Sequence, residues 1–396
     1  MTLQKLCARL KSEKLLEALF LCGLSGFVFE VILFDSTLRH VPWLAHVFVG
    51  LRLLSYALIV FKGFTDFFCR RYSLKEIIGF GAVGIVLLLV ARYSGYKDFL
   101  IYLAFIAAGH NVEYRKVIRA ALFSHLAALA VIFAFCGLGI VPNNINIRTD
   151  GTVRQGLGFD FGGLLAHFVL YTILLWIYDR QEHIRIVEIL FLLLGQLFVY
   201  YKTNTNNPFF LGCLALAGTA LLKYSGTLRK FQKPYYVVAL LMVPLAVGSI
   251  CLLSYKYDSG VGWMHMLNRL LSRRLELGRE AFNRYPVRWF GQPMEWNLKL
   301  DGYFYVDSSY LKILFTYGIA TFCLFVGGLF LTSLQICRRK DIWFLLVLGI
   351  IVLHSMFDDQ LPWIGSNTFM VCYSYFKLFS KNAERETHEL SQTENQ

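Results

Sequence analysis

The sequence predicts an all-α, polytopic integral membrane protein with about twelve transmembrane helices. Three observations predict it. Of the 396 residues, 57% are hydrophobic and only 16% charged, whereas soluble domains carry about a quarter charged residues. The apolar residues come in long blocks, which is the pattern a bilayer selects. No series of alternating segments of about ten residues, the mark of a membrane β-barrel, runs along the chain.

The elements follow in order. A spanning helix needs about twenty mostly apolar residues. Spans meeting that need fall near 15–34, 43–61, 76–92, 98–110, 118–142, 160–178, 185–201, 207–222, 235–254, 310–333, 342–357 and 364–380. The fourth is short and reads as a half-helix. Basic residues set the orientation. The clusters are Lys5, Arg9, Lys11 and Lys14; Lys62, Arg70, Arg71 and Lys75; Arg115, Lys116 and Arg119; Lys223, Arg229, Lys230 and Lys233; and Arg338, Arg339 and Lys340. All fall on one side when twelve spans are counted, and that side is the cytoplasm. Both termini are then cytoplasmic. Residues 1–380 read as one transmembrane domain and 381–396 as a polar cytoplasmic tail. No cleavable signal peptide is evident, so the first helix is expected to stay in the protein. Two connections on the opposite face are long, 143–159 and 255–309, the second between spans nine and ten. Long structured loops are usually functional.

The net charge of +13 is accounted for by this placement of Lys and Arg. With no basic tail and no recognised binding motif, nucleic acid is not an expected partner. The nine cysteines are scattered, most inside apolar runs, with no CxxC pair. They read as small buried apolar residues, not as a disulfide frame or zinc site.

The larger loop contains adjacent arginines in "LLSRRLELGREAF", 270–282. Taken as one helix over 264–285, the segment carries Leu267, Leu270, Leu271, Leu275, Gly278, Ala281, Phe282 and Tyr285 on one apolar stripe. Arg269, Arg273, Glu276, Glu280 and Arg284 lie opposite. Arg274 falls within the stripe, since each residue turns about 100°. Arg273 is therefore expected at the surface with Glu276 and Glu280, and Arg274 is expected to point inward. Two readings of Arg274 stand. It pairs with a carboxylate such as Asp307 or snorkels to headgroups, or it binds phosphate in a cavity open to the outside. Arg279 follows in the same loop, and Arg148 and Arg154 lie in the other long loop. Guanidinium groups beside a lipid phase suit an anionic lipid-linked ligand, because they bind phosphate oxygens bidentately and stay charged. The alternative for each is contact with lipid headgroups.

Candidate bases lie at the same ends of the helices. His354 precedes Asp358 by one turn, so the carboxylate is placed to orient the imidazole; the alternative is a helix-end His facing headgroups. Asp307 opens span ten, as a base or as a helix N-cap. Arg52, inside a span, is expected to pair with Glu30.

The stretch "LLSRRLELGREAFNRYPVRWFGQ", 270–292, resembles "LSGRL…AF..YP..LFGQ" of the Wzy-type polysaccharide polymerases of bacterial capsule and exopolysaccharide pathways. The likeness continues in "VDSSYLKILFTYGI", 306–319. More loosely, "GTVRQGLGFDFGG", 151–163, resembles that family's "R.SLGF.HPN" loop, and "HSMFDDQLPWIGSNTFMV" its acidic residue followed by Asn. The chain departs from the pattern in places. Arg273 replaces a Gly while Arg274 keeps the Arg; Phe161, Gly162 and Gly163 stand at "HPN"; and "KTNTNNP", 202–208, stands where a Ser-Arg pair is common.

The resemblance implies a metal-independent glycosyltransferase of the bacterial cytoplasmic membrane. It would join oligosaccharide repeat units linked to undecaprenyl diphosphate on the outer face. The expected partners are that lipid-linked glycan, membrane lipid, a flippase and a chain-length regulator. No cofactor is expected, in keeping with the lack of a P-loop, an HExxH motif or an outer-loop DxD pair. For the chemistry, Arg274, Arg279, Arg154 and Arg148 are the candidates to stabilise the leaving diphosphate. His354, Asp307 and Asp358 are the candidates to take the acceptor proton. Two other readings stay open: an O-antigen-type ligase, with the same chemistry on another acceptor, and a non-catalytic flippase or exporter of lipid-linked oligosaccharide.

Overall fold

The computed structural model describes residues 13–69, 71–147, 151–225, 233–297 and 302–372. These are mainly helical, and the strands among them form one short hairpin. In chain order the helices are α1 (Glu13–Phe34), α2 (Pro42–Phe68), α3 (Leu74–Ser94), α4 (Asp98–Ala108), α5 (Tyr114–Gly137), α6 (Gly162–Arg180), α7 (Ile186–Thr203), α8 (Asn206–Tyr224), α9 (Lys233–Lys256), α10 (Gly262–Leu270), α11 (Arg274–Arg284), α12 (Ser309–Lys312), α13 (Gly318–Arg338) and α14 (Ile342–His354). Strands β1 (Ile145–Ile147) and β2 (Val153–Gln155) pair antiparallel between α5 and α6.

Among the described residues, eight helices are long and apolar enough to cross a membrane. They are α1, α2, α3, α5, α6 with the turn after it, α7, α9, and the run from α12 through α13. The spans read at 98–110 and 342–357 are shorter apolar helices of 11 and 13 residues. The span read at 207–222 is a 19-residue helix that is not among the eight. Of the span read at 364–380, residues Thr368–Val371 form a single 3₁₀ turn, and everything after 372 lies outside the described residues.

The helix ends follow local chemistry. Pro42 starts α2, where its missing N–H is no loss. Asp341 caps α14, its carboxylate accepting from the Phe344 N–H at 2.9 Å. Asn204 ends α7 in the left-handed region.

The chain folds into two compact units. The first comprises the described parts of 1–73, 104–230 and 363–375. In it α1 packs on α2 and α5, α5 on α6, and α6 on α7 and α8. Arg52 and Glu30 form the expected pair across α2 and α1, donating at 2.7 and 3.0 Å. The loop after the hairpin is clamped against the end of α7. Arg154 Nε donates to the Thr203 carbonyl at 2.6 Å, and a Cβ on Gly162 would meet Thr203 at 2.8 Å.

The second unit comprises the described parts of 74–103, 231–362 and 376–396. Here α9 packs on α11, α13 and α14, and α3 packs on α13. The single helix read over 264–285 is in fact two, α10 and α11, broken at 271–273. The break is a Schellman ending: the Arg273 N–H reaches the Asn268 carbonyl at 2.8 Å and the Ser272 N–H the Arg269 carbonyl at 3.1 Å. Ser272 and Arg273 both take positive φ, 52° and 66°. Buried Asn268 then holds the next helix, its side-chain oxygen accepting from the Glu276 N–H at 3.1 Å. Gly278 lets α11 approach closely, because a Cβ there would lie 2.6 Å from Ser254 Oγ on α9.

The span through α12 and α13 is also interrupted. Residues Ile313–Tyr317 form a π-helical turn, and Gly318 follows at φ 84°. The segment 288–292 supplies partners for the freed backbone. The Ile319 and Ala320 N–H groups donate to the Arg288 and Trp289 carbonyls at 3.0 Å each, and the Gln292 N–H donates to the Thr316 carbonyl at 3.2 Å. Backbone groups released from the helical ladder are thus satisfied by protein.

Candidate functional site

In the second unit Arg274, Asp307, Lys312, His354, Asp358 and Asp359 come together at one place. Arg274 is the first residue of α11, and its side chain is about one-fifth exposed (21%). Its Nε donates to the Phe357 carbonyl at 2.7 Å and its Nη1 to the Leu271 carbonyl at 3.2 Å. The remaining arm, Nη2, lies 3.6 Å from the Asp307 carboxylate. The inward direction read for Arg274 therefore holds, although the continuous stripe that predicted it does not exist. Arg273 is mostly exposed and pairs with Glu276 at 2.7 Å, as expected for a surface charge.

Asp307 is not the cap of the helix it precedes. Ser308 holds that position, without a side-chain cap bond, and Asp307 turns to Arg274 instead. One turn into the span, Lys312 bridges Tyr305 and the Asp359 carboxylate, and Tyr305 also donates to Asp359. Ser309 ties the helix start to the segment after α14: its N–H donates to the Ser355 and Asp358 carbonyls at 3.0 and 2.9 Å. The Asp358 carboxylate lies 3.9 Å from His354 Nδ1, and the His354 side chain is fully buried. The two are neighbours, as their spacing predicts, but 3.9 Å is too long for a hydrogen bond between them, and α14 ends at His354 with Asp358 in the turn beyond it.

Two tyrosines complete the group. Burial, then the nearby Asp307 charge, pushes the Tyr303 hydroxyl up to about 12. Burial, then Asp359, holds the Tyr305 hydroxyl far above the ordinary range for tyrosine. Both stay protonated near neutral pH, and Tyr305 donates to Asp359, so the bases of the cluster are its carboxylates and the imidazole. Asp307, with 31% of its side chain exposed, is the most accessible of the three aspartates.

The remaining candidates sit elsewhere. Arg279 donates to the Tyr255 carbonyl and lies over its ring, 5.5 Å from the centroid. With Arg273 and Arg284 it lines an open hollow of about 550 Å³ beside Tyr257 and Tyr303. Arg154 belongs to the first unit, where Thr203 and Thr205 hold it. Arg148 lies outside the described residues. Lys312, Tyr305 and Asn268 were not singled out from the sequence. The Lys312 signal was nonetheless there: a lysine inside an apolar span is a functional hint by default.

Comparison with family models, with curated proteins and with solved structures finds no match for this chain.

Proposed function

We propose that this protein is a polysaccharide polymerase of the bacterial cytoplasmic membrane, joining oligosaccharide repeat units carried on undecaprenyl diphosphate. One observation carries the reading. The two stretches that resemble Wzy-type polymerases, 270–292 and 306–319, meet in the fold at two places: Arg274 faces Asp307 at 3.6 Å, and Gly291 packs on Gly318. Residues that form one site are expected to recur together as a pattern.

In this reading both termini are cytoplasmic, and the cluster lies at the outer face. An acceptor sugar hydroxyl attacks the anomeric carbon of the donor. The bond from that carbon to the phosphate oxygen breaks, and undecaprenyl diphosphate leaves with the electron pair. Arg274 stabilises the departing charge through its Nη2 arm, which in the resting protein only faces Asp307 across 3.6 Å. Asp307 takes the acceptor proton. Asp358 and buried His354 hold the segment after α14, and Lys312 holds Asp359 and Tyr305, so that the backbone under Arg274 is fixed. The chain-length regulator and the flippase of such a pathway are the expected partners.

Deleting the gene and sizing the surface glycan tests the proposal. Single repeat units without long chains support a polymerase. Loss of all lipid-linked units from the outer face indicates a flippase. Normal-length polymer that fails to reach its final acceptor indicates a ligase.

A further inference from the structure

The hairpin β1–β2 leaves its apolar side chains exposed. Its register places Ile147 opposite Val153 and Ile145 opposite Gln155, so three β-branched residues share one face. That face is exposed: Ile145 is 61%, Ile147 71% and Val153 53% accessible. The other face carries the polar pair Asn146 and Arg154; Asn146 is exposed as well, but both side chains are bonded to the protein, while on the apolar side only the half-buried Gln155 is, to Asn143 at 3.4 Å. Asn146 donates to the Asp160 carbonyl at 3.3 Å and Arg154 to the Thr203 carbonyl at 2.6 Å. A hairpin facing water on one side shows the reverse, apolar in and polar out.

The position of the hairpin identifies what covers it. The chain leaves α5 through Leu138 and Ile140, themselves 73% and 55% exposed, and enters β1 five residues later. The loop after β2 folds back onto α5: a Cβ on Gly158 would lie 2.7 Å from Ile132 and 3.3 Å from Cys136. Ile132 lies five residues before the end of α5, which at 1.5 Å per residue is roughly 7 Å below it. The loop that follows the hairpin is thus anchored level with the last turns of a helix long and apolar enough to cross a membrane.

We propose that the Ile145, Ile147 and Val153 face of this hairpin inserts into the bilayer at the headgroup–acyl boundary. Two strands have unpaired edges, which the dry hydrocarbon centre does not tolerate. The interface does, and there a patch of exposed β-branched side chains gains by leaving water. Asn146 and Arg154 then act as the fastening that turns the apolar face outward. This inference does not depend on the enzymatic reading.

Spin labels on full-length protein in lipid nanodiscs test it. Cys7, Cys22 and Cys323 are replaced by alanine, and labels are placed singly at Ile145→Cys, Ile147→Cys and Ser259→Cys. Oxygen concentrates in the acyl region, and a water-soluble nickel chelate stays outside. At 145 and 147 the collision rate with oxygen is expected to exceed that with nickel several-fold, and at 259 the order is expected to reverse. Nickel-dominated relaxation at both hairpin sites overturns the proposal. Labels immobilised and shielded from both reagents overturn it too, because they place a protein partner or second copy on this face.

Discussion

Arg274 reaches Asp307 with only one arm of its guanidinium, at 3.6 Å, while the rest of the group is bound to the carbonyls of Phe357 and Leu271. The backbone bonds fix the head of the side chain, and the looser contact leaves one nitrogen for a ligand. Arg274→Ala is expected to abolish or strongly reduce polymer formation. Losing one such contact costs about 2–4 kcal/mol of transition-state stabilisation, roughly a hundredfold or more in rate. Arg274→Lys keeps the charge but loses the fork, and recovers only part of the activity. Arg273→Ala, on the exposed side, is expected to be mild. Glycan ladders compared at equal membrane protein level check this. Normal long chains from well-expressed Arg274→Ala would make the arginine structural.

Arg273 occupies a backbone position suited to glycine, at φ 66°. The left-handed conformation costs a non-glycine residue about 1–2 kcal/mol. The exposed pair with Glu276 returns about 0.2–1 kcal/mol. Arg273→Gly is therefore expected to leave thermal stability unchanged or slightly raised. Arg273→Val, which adds a β-branch and removes the pair, is expected to lower it. A drop in melting temperature for the glycine variant equal to that for valine would refute the strain argument.

Gly291 and Gly318 allow two backbones to touch. A Cβ on Gly291 would lie 2.1 Å from the Thr316 carbonyl oxygen, and one on Gly318 would lie 2.3 Å from the Gly291 nitrogen. Both have positive φ. Alanine at either position is expected to destabilise the fold by about 3 kcal/mol or more, through overlap and backbone strain together. Gly327→Ala, with nothing within 4 Å of the added carbon, is expected to cause no loss. Yield and melting temperature of the three variants in detergent decide the matter.

The hydrogen bond from Arg273, assisted by its charge and opposed by partial burial, holds the Glu276 carboxyl below its ordinary value of 4.5. A carboxyl depressed in the folded state contributes stability that is fully present above 4.5 and is lost as pH falls through the lower folded value. The stability difference between wild type and Glu276→Gln is therefore expected to be constant near neutral pH and to shrink only below about 4.5. A difference that disappears between pH 8 and 6 would assign the effect to another group.

Much of the helical frame is legible in the sequence because long apolar runs dominate it; eight of the expected spans appear as long helices. The ion pairs Glu30–Arg52 and Arg273–Glu276 were legible too, from charge type and spacing. The break at 271–273 was not. Neither Gly nor Pro marks it, Ser272 stands where a Schellman ending favours glycine, and the apolar spacing runs on through it. Asn268, which fixes the break, is a single polar residue in an amphipathic helix. Lys312 was legible as a lysine inside an apolar span, but its partner Asp359, 47 residues further on, was not. The contact of Gly291 with Gly318 joins segments 27 residues apart, and spacing within one helix carries no information about it.

The proposed activity is transfer of glycan from one lipid diphosphate to the sugar of another. The most direct test is purified protein in proteoliposomes, supplied only with undecaprenyl-diphosphate-linked repeat units from its own host. A ladder of oligomers is expected, with one undecaprenyl diphosphate released per bond formed, and neither product with Arg274→Ala. Intact repeat units recovered from folded wild-type protein, or units moved across the bilayer without joining, would contradict it.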